Sequence, residues 1–314
     1  MKKILAFLFC AIYAFGASGS NQQNSPIWGD ARIENINKYQ DGLASLWVEL
    51  QGGHYFAYAL AILVGIVIFA FVLHYLLVGP RHYHHDGQKI YAFDLFIRII
   101  HAMAAISWVI LVPTGAIMMW GESFGGGAFV RFCKNAHGLA TILFAISVLP
   151  MGAYWFKRML PALYDIKWMM MVGGYLNKKH QAIPAGKFNA GQKAWFFIAV
   201  PGGIIMIITG AFMYFMDFAN GDVASFFGLS QIELLRASAI IHNTLGIVCA
   251  VFLLVHLYMA AVAVAGAIHS MITGYQEEEE IYTLHHYWYQ ELEQKGVVKK
   301  SKYEDIYKPL KPLK

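Results

Sequence analysis

The chain has 314 residues, of which 58% are hydrophobic and only 14% charged, and its mean hydropathy is +0.48. A soluble domain carries roughly a quarter charged residues, so a water-soluble globule is excluded, as is intrinsic disorder, which is poor in aromatic and aliphatic side chains. The composition is that of an integral membrane protein. Its net charge of +5 sits in loops between apolar stretches and points to no nucleic-acid partner.

Taken in chain order, Met1-Lys2-Lys3 precedes an almost uninterrupted apolar run over residues 4–14, then Gly16, Ala17, Ser18 and Gly19. A positive head, a short apolar run and a small-residue exit describe a secretory signal peptide over residues 1–19, with an uncleaved anchor as the alternative. Residues 20–54 read as a polar, exported segment with Trp28 and Trp47 as interfacial contacts. Five apolar stretches follow, over residues 55–78, 92–120, 134–156, 194–216 and 237–269, each near the ~20 residues that cross a bilayer. Pro201-Gly202-Gly203 predicts a kink in the fourth.

Loop charge fixes an orientation in the membrane. Arg81 and Lys89 lie between the first two stretches, and Lys157, Arg158, Lys167, Lys178, Lys179, Lys187 and Lys193 between the third and fourth. The tail over residues 270–314 carries seven more lysines, whereas the last loop has Asp217, Asp222 and Glu233 before any basic residue. The basic loops and the tail are therefore expected in the cytoplasm and the mature N-terminus in the periplasm of a bacterial inner membrane. A cleaved signal followed by five spans agrees with this. Cys10, Cys133 and Cys249 are too dispersed for a disulfide framework, a CxxC zinc site or a CxxCH covalent haem site.

Of the 13 histidines, His82, His84, His85, His180, His285 and His286 fall in cytoplasmic segments and read as solvated. The tail with its Glu277–Glu280 run reads the same way. Histidines at membrane depth are costly and suggest function. His242 and His256 lie 14 residues apart in the fifth stretch, nearly four whole turns, so both project from one helix face about 21 Å apart along the axis. Two haems at different depths would each take one axial ligand from such a helix, and each iron then needs a second histidine at matching depth. Depth matches His137 with His242, and either His101 or His74 with His256. Arg98, one turn before His101, is a candidate partner for a haem propionate. Arg131, Lys134 and Arg236 read as cations snorkelling at span ends.

Arg98-Ile99-Ile100-His101, Asn135-Ala136-His137-Gly138, Ile241-His242, His256-Leu257-Tyr258-Met259 and the loop from Gly186 through Asn189-Ala190-Gly191-Gln192-Lys193 resemble the cytochrome b subunit of membrane-bound formate dehydrogenases. The resemblance covers about residues 91–289, and its four-helix part is shared with cytochrome b subunits of nickel–iron hydrogenases and thiosulfate reductases. It implies an all-α membrane protein with a four-helix di-haem cytochrome b bundle over residues 92–269; the signal peptide, the exported segment and one extra transmembrane helix at 55–78 that precede it depart from the family pattern. It implies His137 with His242 on an outer haem b and His101, rather than His74, with His256 on an inner one. It places a menaquinone site at Asn189, Gly191 and Gln192. The implied partners are an iron–sulfur subunit and a molybdenum- or tungsten-dependent formate-oxidising subunit on the periplasmic side. Asn189 also reads more simply as a helix N-cap. A transporter with intramembrane histidines is the competing class, but five spans show no inverted repeat and no acidic proton relay.

Overall fold

A computed structural model of the protein describes residues 43–83, 87–177, 181–215, 221–299, 303 and 305–310. The expected signal peptide, Trp28, and His84, His85 and His180 lie outside the described residues. A short helix α1 (Ala44–Gly52) is followed by five helices long and apolar enough to cross a membrane. These are α2 (Tyr55–Leu77), α3 (Leu95–Met119), α4 (Gly127–Met159) and two composite helices. Between α4 and the first composite lies the short helix α5 (Leu163–Met170).

The first composite joins α6 (Ala190–Phe197) to α7 (Gly203–Tyr214) through a π turn at Ile198–Gly202. After α8 (Gly221–Phe226), the second joins α9 (Gln231–Tyr258) to a π turn at Met259–Ala263. The first π turn is the irregularity predicted at Pro201. Proline lacks the amide hydrogen and its ring crowds the carbonyl four residues back, so the ladder widens there. α2 is apolar all round and exposes Ile66, Phe69, Val72 and Leu76, which only apolar surroundings make tolerable. With four further spans of this kind, the protein is a multi-pass membrane protein.

The chain divides into two compact units. The first comprises the described residues up to Leu63 together with those of Met103–Ile146 and Gly202–Ala250. Phe212, Ala224, Leu234 and Leu235 form a buried cluster within it, flanked by Val223 and Leu229. Trp108 meets Phe144 edge-on at 5.1 Å, and a Cβ at Gly203 would lie 2.6 Å from the Phe144 ring. The start of α7 thus presses on α4 where only glycine leaves room.

The second unit comprises the described residues of Val64–Ala102, Ser147–Pro201 and Val251–Lys314. Within it, β1 (Lys89–Tyr91) pairs antiparallel with β2 (Tyr275–Glu277), Ile90 opposite Gln276. The helices α10 (His269–Thr273), α11 (Glu278–Leu284) and α12 (His286–Gln294) surround this ribbon in the sequence. Gly274 ends α10 at φ +90°, where its amide carbonyl accepts from Ala92 and Phe93; a Cβ there would meet the Phe93 carbonyl at 2.5 Å. Glycine is required at that position.

The tail is not the solvated segment its charge run suggests. Glu279 and Glu280 are 2% and 5% exposed, and His285 and His286 are buried as well. Tyr83, Ile183, Val264 and Leu284 form its core. Backbone bonds from Ile183 to the Thr283 carbonyl (2.7 Å), from Ala182 to the Lys308 carbonyl (3.1 Å) and from Tyr287 to the Ala185 carbonyl (3.0 Å) sew the loop between α5 and α6 to the tail. Arg81 joins the same structure, donating to the carbonyls of Gly174 and Asn177. The charges had hidden a folded cap.

Candidate functional site

In the first unit, α4 carries His137 and α9 carries His242. Their ring centres lie 6.3 Å apart with planes at 54°. Each Nδ1 meets a threonine hydroxyl: His137 with Thr114 Oγ1 of α3 at 3.0 Å, and His242 with Thr209 Oγ1 of α7 at 3.1 Å. Each hydroxyl spends its own proton on a carbonyl one turn back, Thr114 on Ile110 (2.6 Å) and Thr209 on Ile205 (2.9 Å). The hydroxyl can then only accept from the imidazole. Nδ1 therefore carries the hydrogen on both rings, and Nε2 presents its lone pair. Gly115 and Gly210 follow the threonines, and a Cβ on either would reach the ring Cε1, at 3.5 Å and 3.2 Å.

The second unit holds a pair of the same dimensions. His101 of α3 and His256 of α9 have ring centres 6.2 Å apart with planes at 60°. Their surroundings differ. Trp195 of α6 stacks on His256 at 5.7 Å and 21°, and Trp155 of α4 lies 6.2 Å from His101. Among the described residues neither His101 nor His256 has a hydrogen bond, and the buried Trp155 Nε1 has no acceptor.

Both pairs fit a haem iron. A metal between two imidazoles holds each nitrogen at about 2 Å, which with the half-width of each ring puts the ring centres roughly 6 Å apart. The Nδ1-protonated form in the first pair is the tautomer that ligates through Nε2. The unpartnered indole hydrogen in the second unit is a donor suited to a carboxylate or carbonyl of a bound group.

His74 is not part of either pair. Its Nε2 donates to the Tyr175 carbonyl at 3.0 Å, and its Nδ1 accepts from Tyr258 Oη at 2.6 Å, so neither nitrogen is open to iron. Arg98 spends its guanidinium on the carbonyls of Met271, Ile272 and Thr273, capping the C-terminal end of α10. The propionate role expected for it competes with that cap.

Asn189 is the N-cap of α6. Its Oδ1 accepts from the Gln192 amide at 2.9 Å while Gln192 Oε1 accepts from the Asn189 amide at 2.9 Å, a reciprocal capping box. The box uses both side-chain carbonyls and leaves the two NH2 groups outside it. A Cβ at Gly191 would touch the Trp168 ring at 3.0 Å, so the first turn of α6 lies flat on that indole.

Next to this turn is an ion pair the sequence does not announce. Lys193 Nζ donates to Asp165 Oδ2 at 2.7 Å, with both side chains less than a tenth exposed. Asp165 also caps α5 by accepting from the Ala162 amide at 2.7 Å. Lys193 lies over the Tyr164 ring at 5.0 Å and lines a cavity of 440 Å³ with Lys157, Arg158, Tyr164, Tyr287 and Glu291. Glu291 is held down to about 2, first by its bidentate hydrogen bonds with Arg158 at 2.8 and 3.0 Å. Lys187 hydrogen-bonds the Ala92 carbonyl, and burial lowers its pKa.

Sequence reasoning missed Thr114, Thr209, Asp165 and the two tryptophans. One signal for the threonines was present, because Thr-Gly-Ala occurs at both 114–116 and 209–211.

Known proteins similar to this chain are cytochrome b subunits. The chain is 28% identical over 186 residues to the cytochrome b556(Fdn) subunit of the nitrate-inducible formate dehydrogenase of Escherichia coli K12, covering 59% of this chain and 80% of that subunit. It is 25% identical over 200 residues to the formate dehydrogenase cytochrome b556 subunit of Haemophilus influenzae, covering 62% and 79%. The family described as prokaryotic cytochrome b561 matches residues 92–274, which contain all four paired histidines. The protein belongs to the prokaryotic cytochrome b561 family, a membrane cytochrome b family whose name implies haem b.

Proposed function

We propose that this protein is the membrane cytochrome b subunit of a formate dehydrogenase. It would carry electrons from a periplasmic iron–sulfur subunit, fed by a molybdenum- or tungsten-dependent formate-oxidising subunit, through two haems b to menaquinone near the cytoplasmic face. The observation that carries the reading is the presence of two separate facing imidazole pairs, 6.3 and 6.2 Å between ring centres. The named function of the relatives supplies formate as the donor.

His137 and His242 would hold one haem and His101 and His256 the other. When bound, each haem supplies the one-electron couple that the polypeptide lacks. The chain's share is to present neutral imidazole lone pairs and to keep water away from them with apolar helix faces. At the start of α6, the amide NH2 groups of Asn189 and Gln192 would donate to a quinone oxygen, and Gly191 would hold the turn against the Trp168 ring as one wall of that site. Lys193 and the cavity it lines would give protons from the cytoplasm access to that turn. The distribution of loop charge supports this sidedness.

A reduced-minus-oxidised spectrum and a haem-per-chain assay on detergent-purified protein test the reading. Two non-covalent haems b per chain are expected. His242→Ala and His256→Ala should each remove one haem and abolish quinone reduction. Survival of both haems in either variant overturns the pairing. In membranes holding the whole complex, reduction of the haems by formate, and not by hydrogen, supports formate as the donor.

A further inference from the structure

The two histidine pairs are alike in spacing and unlike in what holds them. Both rings of the His137/His242 pair donate Nδ1–H to a threonine hydroxyl, Thr114 on α3 and Thr209 on α7. Both hydroxyls are pinned as acceptors because their protons go to the carbonyls of Ile110 and Ile205. Both threonines stand in the same tripeptide, Thr-Gly-Ala, whose glycine lets the ring lie against the helix backbone. The His101/His256 pair has indole rings of Trp155 and Trp195 in place of these acceptors.

We propose that Thr114 and Thr209 are positioning residues that make the His137/His242 haem the lower-potential one of the two. This rests on the assignment of haem to both pairs. The cause is second-shell polarisation. A hydrogen bond from Nδ1–H to an oxygen acceptor pushes electron density onto Nε2 and makes the imidazole a stronger donor, which favours the ferric over the ferrous iron. Two such bonds would act on one iron in the same sense, whereas among the described residues neither His101 nor His256 makes one. The difference runs downhill from the first pair to the second, so an electron arriving at the first is drawn onward. The same two bonds fix the ring orientation, because each imidazole is held at one nitrogen by a threonine and would be held at the other by iron.

The test is a potentiometric titration of both haems in the intact complex, for the wild type, Thr114→Val, Thr209→Val and the double variant. Valine keeps the shape and removes the hydroxyl acceptor, leaving only the Leu111 and Met206 carbonyls that also hydrogen-bond the two rings. The expected result is an upward shift in the midpoint of one haem only, larger in the double variant, with the other haem unmoved. Loss of that one haem, with the other retained, supports the positioning role equally. Thr114→Ser and Thr209→Ser retain the oxygen and should restore the wild-type midpoint. Unchanged midpoints in the double variant, equal shifts of both haems, or serine variants that behave as valine ones overturn the proposal. A wild type with fewer than two haems per chain instead overturns the ligand assignment beneath it, so the two failures are distinguishable.

Discussion

The Lys193–Asp165 pair shows what a single buried contact controls. Two charges less than a tenth exposed are tolerable only together, since removing one partner strands the other in a low-dielectric site. Asp165→Ala should therefore destabilise the protein by about 3–5 kcal/mol, read from the denaturant midpoint of the cap in detergent, and expose the start of α5. The double variant Asp165→Leu with Lys193→Met should recover most of that loss, because it removes both charges. Glu280 makes a pH-dependent prediction. Burial raises its carboxyl from 4.5 to about 7, although Gln276 Nε2 donates to it at 3.1 Å. A raised folded-state pKa means that the protonated form is favoured in the fold; the stability it lends is complete below pH 4.5 and is lost as pH rises through 7. Glu280→Gln should make the cap more resistant to proteolysis at pH 8 and leave it unchanged near pH 4. Equal effects at both pH values would contradict the assignment. At this scale the four histidines were legible, because an imidazole in an apolar run is conspicuous and its spacing can be counted. Thr114 and Thr209 were not. A threonine in a membrane helix ordinarily bonds the carbonyl one turn back, as these do, and only the neighbouring helix reveals that its oxygen has a second use.

Among the elements, the five long helices were legible from length and hydropathy, and their ends less so. The third helix begins at Gly127, not near 134, because Phe129 and Val130 continue the pattern across Arg131 and Lys134. The fifth ends its regular course at Tyr258 and closes in a π turn by Ala263, short of residue 269. Hydropathy cannot see that turn, whose sequence is as apolar as the helix before it. The ribbon of β1 and β2 was not expected at all, since three-residue strands give no periodicity to read. Its register depends on Gly274. Gly274→Ala should cost at least the ~1–2 kcal/mol of a left-handed non-glycine residue, plus the clash with the Phe93 carbonyl, and should release Lys89, which lies opposite Glu277 in the ribbon with Nζ 3.7 Å from its carboxylate. Faster amide exchange at Ala92 and Phe93 would register it.

For the molecule as a whole, composition alone settled the solvent. Charge then argued for a direction across the bilayer, and that direction is open to a simple experiment. Ser225→Cys in α8 should react in intact cells with a membrane-impermeant maleimide, whereas Gln294→Cys in α12 should react only after lysis. The reverse pattern would invert the proposed electron path. The folded cap was the main thing composition concealed. Its interior sets buried tyrosines and carboxylates among the aliphatic Ile183, Val264 and Leu284. Tyr307 Oη donates to Glu279 Oε1 at 2.7 Å, and Tyr282 packs edge-on against His286 and Tyr289. By hydropathy such a core is indistinguishable from a polar tail.

The seam between this cap and the earlier loop also bears on how the protein is made. Ala182 finds its carbonyl partner at Lys308 and Ile183 finds its own at Thr283, so a hundred residues or more must be synthesised before the loop acquires its neighbours. By then α6, α7 and α9 have all been synthesised. For that interval the loop waits open, and so does the α6 turn that follows it. Closure of this seam is thus an event of late biogenesis, which no earlier part of the chain can complete alone.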